Sequence, residues 1–360
     1  MTKHYLVQLD GLRLIAVSCV LFGHWITYPA FKSFKDTIVS IGVNLFFVLS
    51  AFLITNILIK AKNINQNTTS DFYTLRQFYI RRFLRIFPLY YLVIVVAYII
   101  NIPTSHENII WYLSYTTNIA WFYYGIDCGY FSHLWSLAVE EQFYLLFPLL
   151  VLFVPNKYLF KIFILIVAIA VISKLIPYLF VNDYTQICYI ANRSIPGCFD
   201  CFGIGALLAY YSSFEKDKLE GILKRRLFFF ICFAIYIALT VVQYHKGNII
   251  TLLFWQLSSA MCCFWLIGTA SLGEFKGAVK LFLENKVVKY LGKISYGIYV
   301  FHLFIPYLLF RFGLKYYSFT GAIFVYAALY FLVTIGLSAL SWHLYEHPIN
   351  KLKKYIEYTK

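Results

Sequence analysis

The sequence predicts an all-α integral membrane protein, a bundle of about ten transmembrane helices, and three observations carry that reading. The chain is 61% hydrophobic and only 13% charged, with a mean hydropathy of +0.71, whereas an ordinary soluble domain carries roughly 25% charge. Apolar runs near the length that crosses a bilayer, about 20 residues, recur from end to end. Lys and Arg gather in alternate gaps between these runs, as the positive-inside rule requires.

Taken in order, the spans are expected at 11–28, 37–59, 86–102, 133–154, 158–181, 195–213, 227–244, 249–271, 293–312 and 319–342. Turn-forming or charged residues separate them, for example Pro155-Asn156-Lys157 and the cluster from Glu215 to Arg226. The first apolar stretch, Leu12 to Ile26, is followed by no small-residue cleavage site and reads as a membrane helix rather than a signal peptide. No Pro/Gly/Ser-rich linker divides the chain, so residues 1–360 are expected to form a single transmembrane domain. With the N-terminus inside, the inner segments hold Lys3, then Lys60, Lys62, Arg76, Arg81, Arg82 and Arg85, Lys157 and Lys161, the Lys216 to Arg226 cluster, Lys276 to Lys293, and the C-terminal lysines. The outer segments hold only Lys32, Lys35, Arg193, Lys246, Arg311 and Lys315. Both termini are therefore expected in the cytoplasm, in a multi-pass protein of the cell membrane, the inner membrane in a diderm host.

A net charge of +15 would suggest nucleic acid for a soluble protein. Here the distribution of the charge along the chain accounts for it, the lipid bilayer is the partner it implies, and no nucleic acid is expected. The abundant Tyr and Trp belong at lipid–water boundaries. Cys198 and Cys201 form a CxxC with no second pair to complete a zinc site, so no metal is expected. Cys128 and Cys188 both fall in expected outer loops, where a disulfide between them is a testable hypothesis.

Ionisable residues inside spans are costly and face the bundle interior. The first span carries Asp10, Arg13 and His24. Asp10 and Arg13 are three apart and can pair. Arg13 and His24 are eleven apart, which returns to nearly the same helix face with a rise of about 16 Å. One stripe thus presents a cation near the cytoplasmic boundary and an imidazole deep in the membrane. A boundary anchor and a hydrogen-bonded structural histidine are the plain alternatives. The fourth span reads from His133 to Tyr144, with Ser136, Glu140 and Tyr144 on one face and Glu141 beside them. A buried carboxyl suits acid–base work; a helix–helix hydrogen bond is the alternative. The ninth span places Ser295, Tyr299 and His302 on one side, where aromatic packing is the alternative. Before the third span, Arg82 and Arg85 are three apart and present two cationic forks if the stretch is helical. Arginine forks suit phosphate, and anionic lipid headgroups are the competing explanation.

Taken together, Leu9-Asp-Gly-Leu-Arg13 with His24, Gly42 to Ile54, Arg82-Phe-Leu-Arg-Ile-Phe-Pro88, Trp135 to Tyr144, Ser295 to His302 and Glu346-His-Pro348 resemble, in this order, the acyltransferase 3 family of membrane enzymes that O-acylate carbohydrates. Each motif alone is weak and the ordered set is specific. Three positions depart from the common pattern: Ala51 for Gly, Asn44 for Asp, and His347 for Lys or Arg. The resemblance implies that Arg13 and His24 are catalytic, that Glu140 is the family's acidic residue, and that Arg82 and Arg85 bind acyl-CoA. From their places on the same helix faces, Asp10, Ser136, Glu141, Tyr144, Ser295, Tyr299 and His302 are expected to support the site. The resemblance implies acetyl-CoA, or another acyl-CoA, as donor and a glycan or glycolipid as acceptor. Some family members carry an extra extracytoplasmic hydrolase-like domain with Gly-Asp-Ser; this sequence lacks that motif, so all transfer chemistry is expected at the bundle.

The reading is then acyl transfer from cytoplasmic acyl-CoA to a hydroxyl of a cell-surface or secreted glycan. His24 acts as general base or as transient acyl carrier, and the sequence leaves both open. Glu140 is expected to orient the imidazole. The outer loop from Asn101 to Ser132, aromatic and free of Lys and Arg, is expected to help cover the acceptor entrance. The rivals are a transporter of an anionic or carbohydrate solute and a non-catalytic membrane scaffold. The acceptor itself, the acyl chain and the oligomeric state are not encoded in any readable pattern.

Overall fold

The computed structural model describes residues 7–25, 32–65, 70–313 and 322–358, and all regular structure among them is helical. Eight helices are long and apolar enough to cross a membrane. They are α1 (Val7–Trp25), α2 (Lys32–Asn65), α3 (Asp71–Ile99), then, after two short helices α4 (Ile109–Leu113) and α5 (Thr117–Tyr124), α6 (Leu134–Phe153) and α7 (Asn156–Ser173). An amphipathic α8 (Tyr184–Arg193) and the small-residue helix α9 (Ile195–Phe214) follow, then α10 (Lys216–Lys224). The remaining long helices are α11 (Arg226–Lys246), α12 (Ile249–Ser271) and, beyond the short α13 (Gly277–Leu283), α14 (Lys286–Lys293), α15 (Ser295–Phe301) and α16 (Phe304–Arg311), α17 (Ala322–Ser341). A π-helical turn at Trp342–Glu346 leads into α18 (His347–Lys351).

Eight of the ten expected spans coincide with these long apolar helices, and the other two are α9 and the broken pair α15–α16. Residues 26–28 and 319–321 of the expected spans lie outside the described residues. Two differences matter. The expected span 86–102 begins instead at Asp71, because Ser70 caps the helix by accepting from the Phe72 N–H at 3.2 Å. That start brings Arg81, Arg82 and Arg85 inside a continuous helix. The expected span 293–312 is broken at His302–Leu303, and the break builds the site described below.

Burial orders the bundle. Within its apolar window α1 is 61% buried, whereas α11 is only 6% buried and forms the lipid-facing rim. Helix α2 packs between α1 and α9, α7 backs α9, and α14 crosses α1. The crossing is tight: a Cβ at Gly292 would lie 1.9 Å from the Asp10 carbonyl oxygen, so only glycine fits. Pro88 interrupts the ladder of α3. Two carbonyls beside it also accept from tyrosines, Tyr296 donating to Ile86 O at 2.8 Å and Tyr345 to Pro88 O at 3.4 Å. Lys174 and Asp200, both fully buried, pair at 2.7 Å between the end of α7 and α9.

The disulfide hypothesis is overturned, since Cys128 and Cys188 are both free. They belong to separate packing groups. Cys128 is part of the main core, whereas Cys188 packs against the small cluster of Ile187, Ala191 and Leu252.

Candidate active site

Two cavities enter the bundle from opposite ends and share a wall. The first, of about 440 Å³, is lined by Arg13, Arg81, Arg82 and Arg85 and by Ser50, Ser136, Glu140, Tyr144, Ser295 and Tyr299. The second, of about 510 Å³, is lined by His24, His133 and Arg193 together with Trp121, Trp135, Tyr189 and Trp255. They are called here the arginine cavity and the histidine cavity. Val43 lines both. Ser136 and Tyr299 lie on the arginine side of the partition, their hydroxyls 2.5 Å apart. His133, one helical turn before Ser136, lies on the other side.

The three arginines of α3 are not equivalent. Arg81 donates to the carbonyls of Lys353 (2.8 Å) and Ile356 (2.5 Å) and so ties the C-terminal segment over the cavity mouth. Arg82 stacks on Tyr144, 4.9 Å from the ring centroid. Arg85 is exposed to the cavity. Arg82 and Arg85 form no ion pair among the described residues, so their guanidinium forks are open to a ligand. Arg13 pairs with Asp10, as its spacing predicts, and also faces this cavity. Ser136, Glu140 and Tyr144 share the cavity-lining face of α6, as the four-residue period requires. Tyr144 also bonds the Ser50 hydroxyl. Glu141 lines neither cavity, and its Oε1 is buried with no hydrogen-bond partner among the described residues.

On the other side the break between α15 and α16 does the positioning. A broken helix leaves carbonyls without intrahelical donors, and side chains supply them here. His302 Nδ1 donates to Tyr299 O at 2.5 Å, His133 Nε2 to Val300 O at 3.1 Å, and Trp25 Nε1 to His302 O at 3.1 Å. His302 is fully buried. Its Nε2 lies 2.9 Å from His24 Nδ1, and the two rings stack with centroids 5.0 Å apart.

This chain of contacts sets a tautomer. Tyr299 O can only accept, so His302 Nδ1 carries its proton. In the neutral ring His302 Nε2 is then an acceptor, and the proton in the 2.9 Å contact belongs to His24 Nδ1. His24 Nε2 is left with its lone pair, on a half-buried ring that lines the histidine cavity. A second-neighbour hydrogen bond that fixes which nitrogen is free is how an imidazole is prepared as base or nucleophile.

The expectation that Glu140 orients the His24 ring is therefore corrected. Glu140 lies seven residues beyond His133 on α6, a rise of about 10 Å, and lines the arginine cavity. The group that holds His24 is His302. The paired residues Ser295 and Tyr299 also face the arginine cavity, so the ninth-span stripe is divided between the two sides. Trp25, Arg193, Lys353 and Ser50 are site residues to which the motifs give no role, and His133, which opens the fourth-span motif, joins them. His133 alone carried a signal, standing one turn from Ser136 on the same helix.

The family model described as an acyltransferase domain matches residues 6–343 of this chain. The chain is 30% identical over 335 residues to the peptidoglycan O-acetyltransferase of Listeria monocytogenes serovar 1/2a, covering 84% of this chain and 49% of that protein. It is 28% identical over 382 residues to a putative peptidoglycan O-acetyltransferase of Bacillus subtilis, covering 97% and 56% respectively. A putative O-acetyltransferase of Staphylococcus aureus gives 28% over 378 residues, covering 96% and 58%. No solved structure matches. The chain belongs to the acyltransferase 3 family, and its helices make it a multi-pass membrane protein. It spans about half the length of the curated relatives it matches.

Proposed function

We propose that the protein is a membrane O-acyltransferase that carries an acetyl group from cytoplasmic acetyl-CoA to a hydroxyl of a cell-envelope glycan, within a single domain spanning residues 1–360. The observation that carries this reading is the pair of cavities meeting at one partition, one lined with free arginine forks and the other with a histidine whose Nε2 is unprotonated. The relatives' names favour peptidoglycan as the glycan. The bias of Lys and Arg along the chain favours a cytoplasmic arginine cavity and cytoplasmic termini.

In this mechanism Arg82 and Arg85 take the phosphates of the CoA nucleotide by charge-assisted forks. Arg13, steadied by Asp10, extends the positive surface inward. Glu140 offsets part of that charge and helps order the guanidinium groups. The thioester reaches the partition, and the acceptor hydroxyl approaches His24 from the histidine cavity. His24 Nε2 takes the hydroxyl proton as the oxygen attacks the acyl carbon. The C–O bond forms and the C–S bond breaks; the departing thiolate receives a proton from the cytoplasmic side, and the His24 imidazolium releases the hydroxyl proton into the histidine cavity. His302 holds the imidazole in the productive tautomer and stabilises its protonated form by accepting the Nδ1 proton. Tyr299 and Ser136, at the partition, both donate to the His133 carbonyl, at 3.0 and 3.2 Å, and so fix the wall beside which the acyl group reacts.

The test is release of CoA and appearance of acetyl ester, with purified protein in liposomes supplied with acetyl-CoA and the peptide-free disaccharide of N-acetylglucosamine and N-acetylmuramic acid. Activity that vanishes in a folded His24→Ala variant is expected. Equal rates for wild type and variant would overturn the assignment of His24, and no turnover with any acyl-CoA would overturn the enzyme reading itself.

A further inference from the structure

The histidine cavity contains a cation that the transfer chemistry does not use. Arg193 ends α8, and its guanidinium lies 4.4 Å from the ring centroid of Tyr189, 5.4 Å from Phe122, 5.5 Å from Trp135 and 5.9 Å from Trp121. Four ring faces attract the cation. They offer no acceptor for its five N–H donors. Among the described residues Arg193 forms no ion pair and no side-chain hydrogen bond, and it lines the cavity that holds His24. Among the described residues, Lys35 and Asp36 are the charged side chains that share that cavity wall. Two cations and one carboxylate leave a single net positive charge in a chamber otherwise walled by Trp121, Trp135, Tyr189 and Trp255.

That combination describes a ligand. The rings suit the flat apolar faces of a saccharide, and the open guanidinium fork suits a planar monoanion held by two parallel hydrogen bonds. A doubly charged phosphate would meet only one net positive charge. We propose that Arg193 is the acceptor anchor, binding a carboxylate on the sugar that is acylated, so that the enzyme selects acidic saccharides over neutral ones. The cage holds the fork rigid, and the carboxylate then sets which hydroxyl of the sugar faces His24 Nε2. This inference rests on the reading that the acceptor occupies the histidine cavity.

The test compares two probes that differ only in charge: a disaccharide of N-acetylglucosamine and N-acetylmuramic acid, and its methyl ester. Wild-type protein in nanodiscs, with acetyl-CoA saturating, is expected to show a KM at least tenfold lower for the acid. Arg193→Gln is expected to raise KM for the acid 10- to 100-fold, leave KM for the ester within about twofold, and leave KM for acetyl-CoA unchanged. Arg193→Lys keeps the charge without the fork and is expected to fall between. Equal KM values for acid and ester in wild type would overturn the proposal, even if Arg193→Gln does not fold. A loss of rate in Arg193→Gln that is the same for both probes would overturn it too, by making the cage structural. Direct binding of both probes to His24→Ala protein by calorimetry separates this inference from the catalytic reading. Tighter binding of the acid, lost in His24→Ala/Arg193→Gln, supports the anchor even without turnover, and equal binding overturns it.

Discussion

The two cavities share Val43 and a partition about one helical turn thick, yet their walls have almost nothing in common. The arginine cavity is cationic and rich in hydroxyls, and its basic residues come from α1, α3 and the C-terminal segment. The histidine cavity is aromatic and carries few charges, and its imidazole is fixed by a broken helix. A wall of forks without sugar platforms fits a polyanionic nucleotide. A wall of rings with one open fork fits a glycan. The difference argues for separate entry of the two substrates and for reaction at the shared partition.

The comparison breaks most readily at His24. His24→Ala removes the imidazole whose free Nε2 is assigned to the acceptor hydroxyl. We expect a 10²- to 10⁴-fold fall in kcat, the usual range for a lost general base. Binding of acetyl-CoA, measured by calorimetry, should be unchanged because that ligand occupies the other cavity. A matching loss of acetyl-CoA affinity would erase the distinction between the two sides.

Arg85→Gln addresses the arginine cavity. Loss of one charge-assisted fork should cost about 1.5–3 kcal/mol, or roughly 10- to 100-fold in KM for acetyl-CoA. KM for the acceptor should stay constant. Raising salt should weaken acetyl-CoA binding in wild type more than in Arg85→Gln, because screening acts on the charge that the variant lacks. Arg81→Gln should behave differently. It should loosen the C-terminal segment, seen as faster amide exchange over 352–358, with less direct effect on the nucleotide.

His302→Leu sharpens the positioning claim. It removes the acceptor for His24 Nδ1, so kcat should fall roughly tenfold, less than for loss of the base itself. The pH profile should change shape with it, since the tautomer and charge of His24 are no longer held. A fall in kcat with no change in pH profile would point to packing alone.

The smallest effect lies outside both cavities. Burial pushes the Cys128 thiol up to about 12, so its thiolate is scarce at pH 8 and labelling by iodoacetamide should be slow until the protein unfolds. The folded value lies above that of an unfolded thiol, so this group favours the native state only by staying protonated. That contribution is fully present below about pH 8.5 and is lost as pH rises toward 12. Mass spectrometry without reductant should find Cys128 and Cys188 both free.

Much of this was legible in the sequence because membranes simplify the problem. Apolar length located the long helices, with 249–271 matching α12 to the residue. Spacing placed Ser136, Glu140 and Tyr144 on one cavity wall and paired Arg13 with Asp10. What spacing could not supply was which helices face one another. Glu140 looked like the partner of His24 only because both are ionisable and intramembrane, and depth along α6 separates them. The break at His302–Leu303 precedes Pro306, whose missing N–H would otherwise bond the His302 carbonyl, a signal that apolar length alone does not use; the break supplies the carbonyls that orient His302 and His133. Arg81 and Arg85 read alike in sequence. One ties down the C-terminal segment and the other is open, and only the packing of that segment on α3 distinguishes them. Arg193 counted merely as an outer charge until four separate rings converged on it.

The most direct test of the central claim is vectorial. Protein is reconstituted in liposomes with a single orientation, radiolabelled acetyl-CoA is supplied on one face and the peptide-free muramic acid disaccharide on the other, and acetyl ester is counted. The account predicts product when acetyl-CoA is on the face of Arg82 and Arg85 and acceptor on the face of His24, and none when the two are exchanged. Product in both arrangements, or product only when both substrates share one face, would contradict a reaction carried across the partition between two separate cavities.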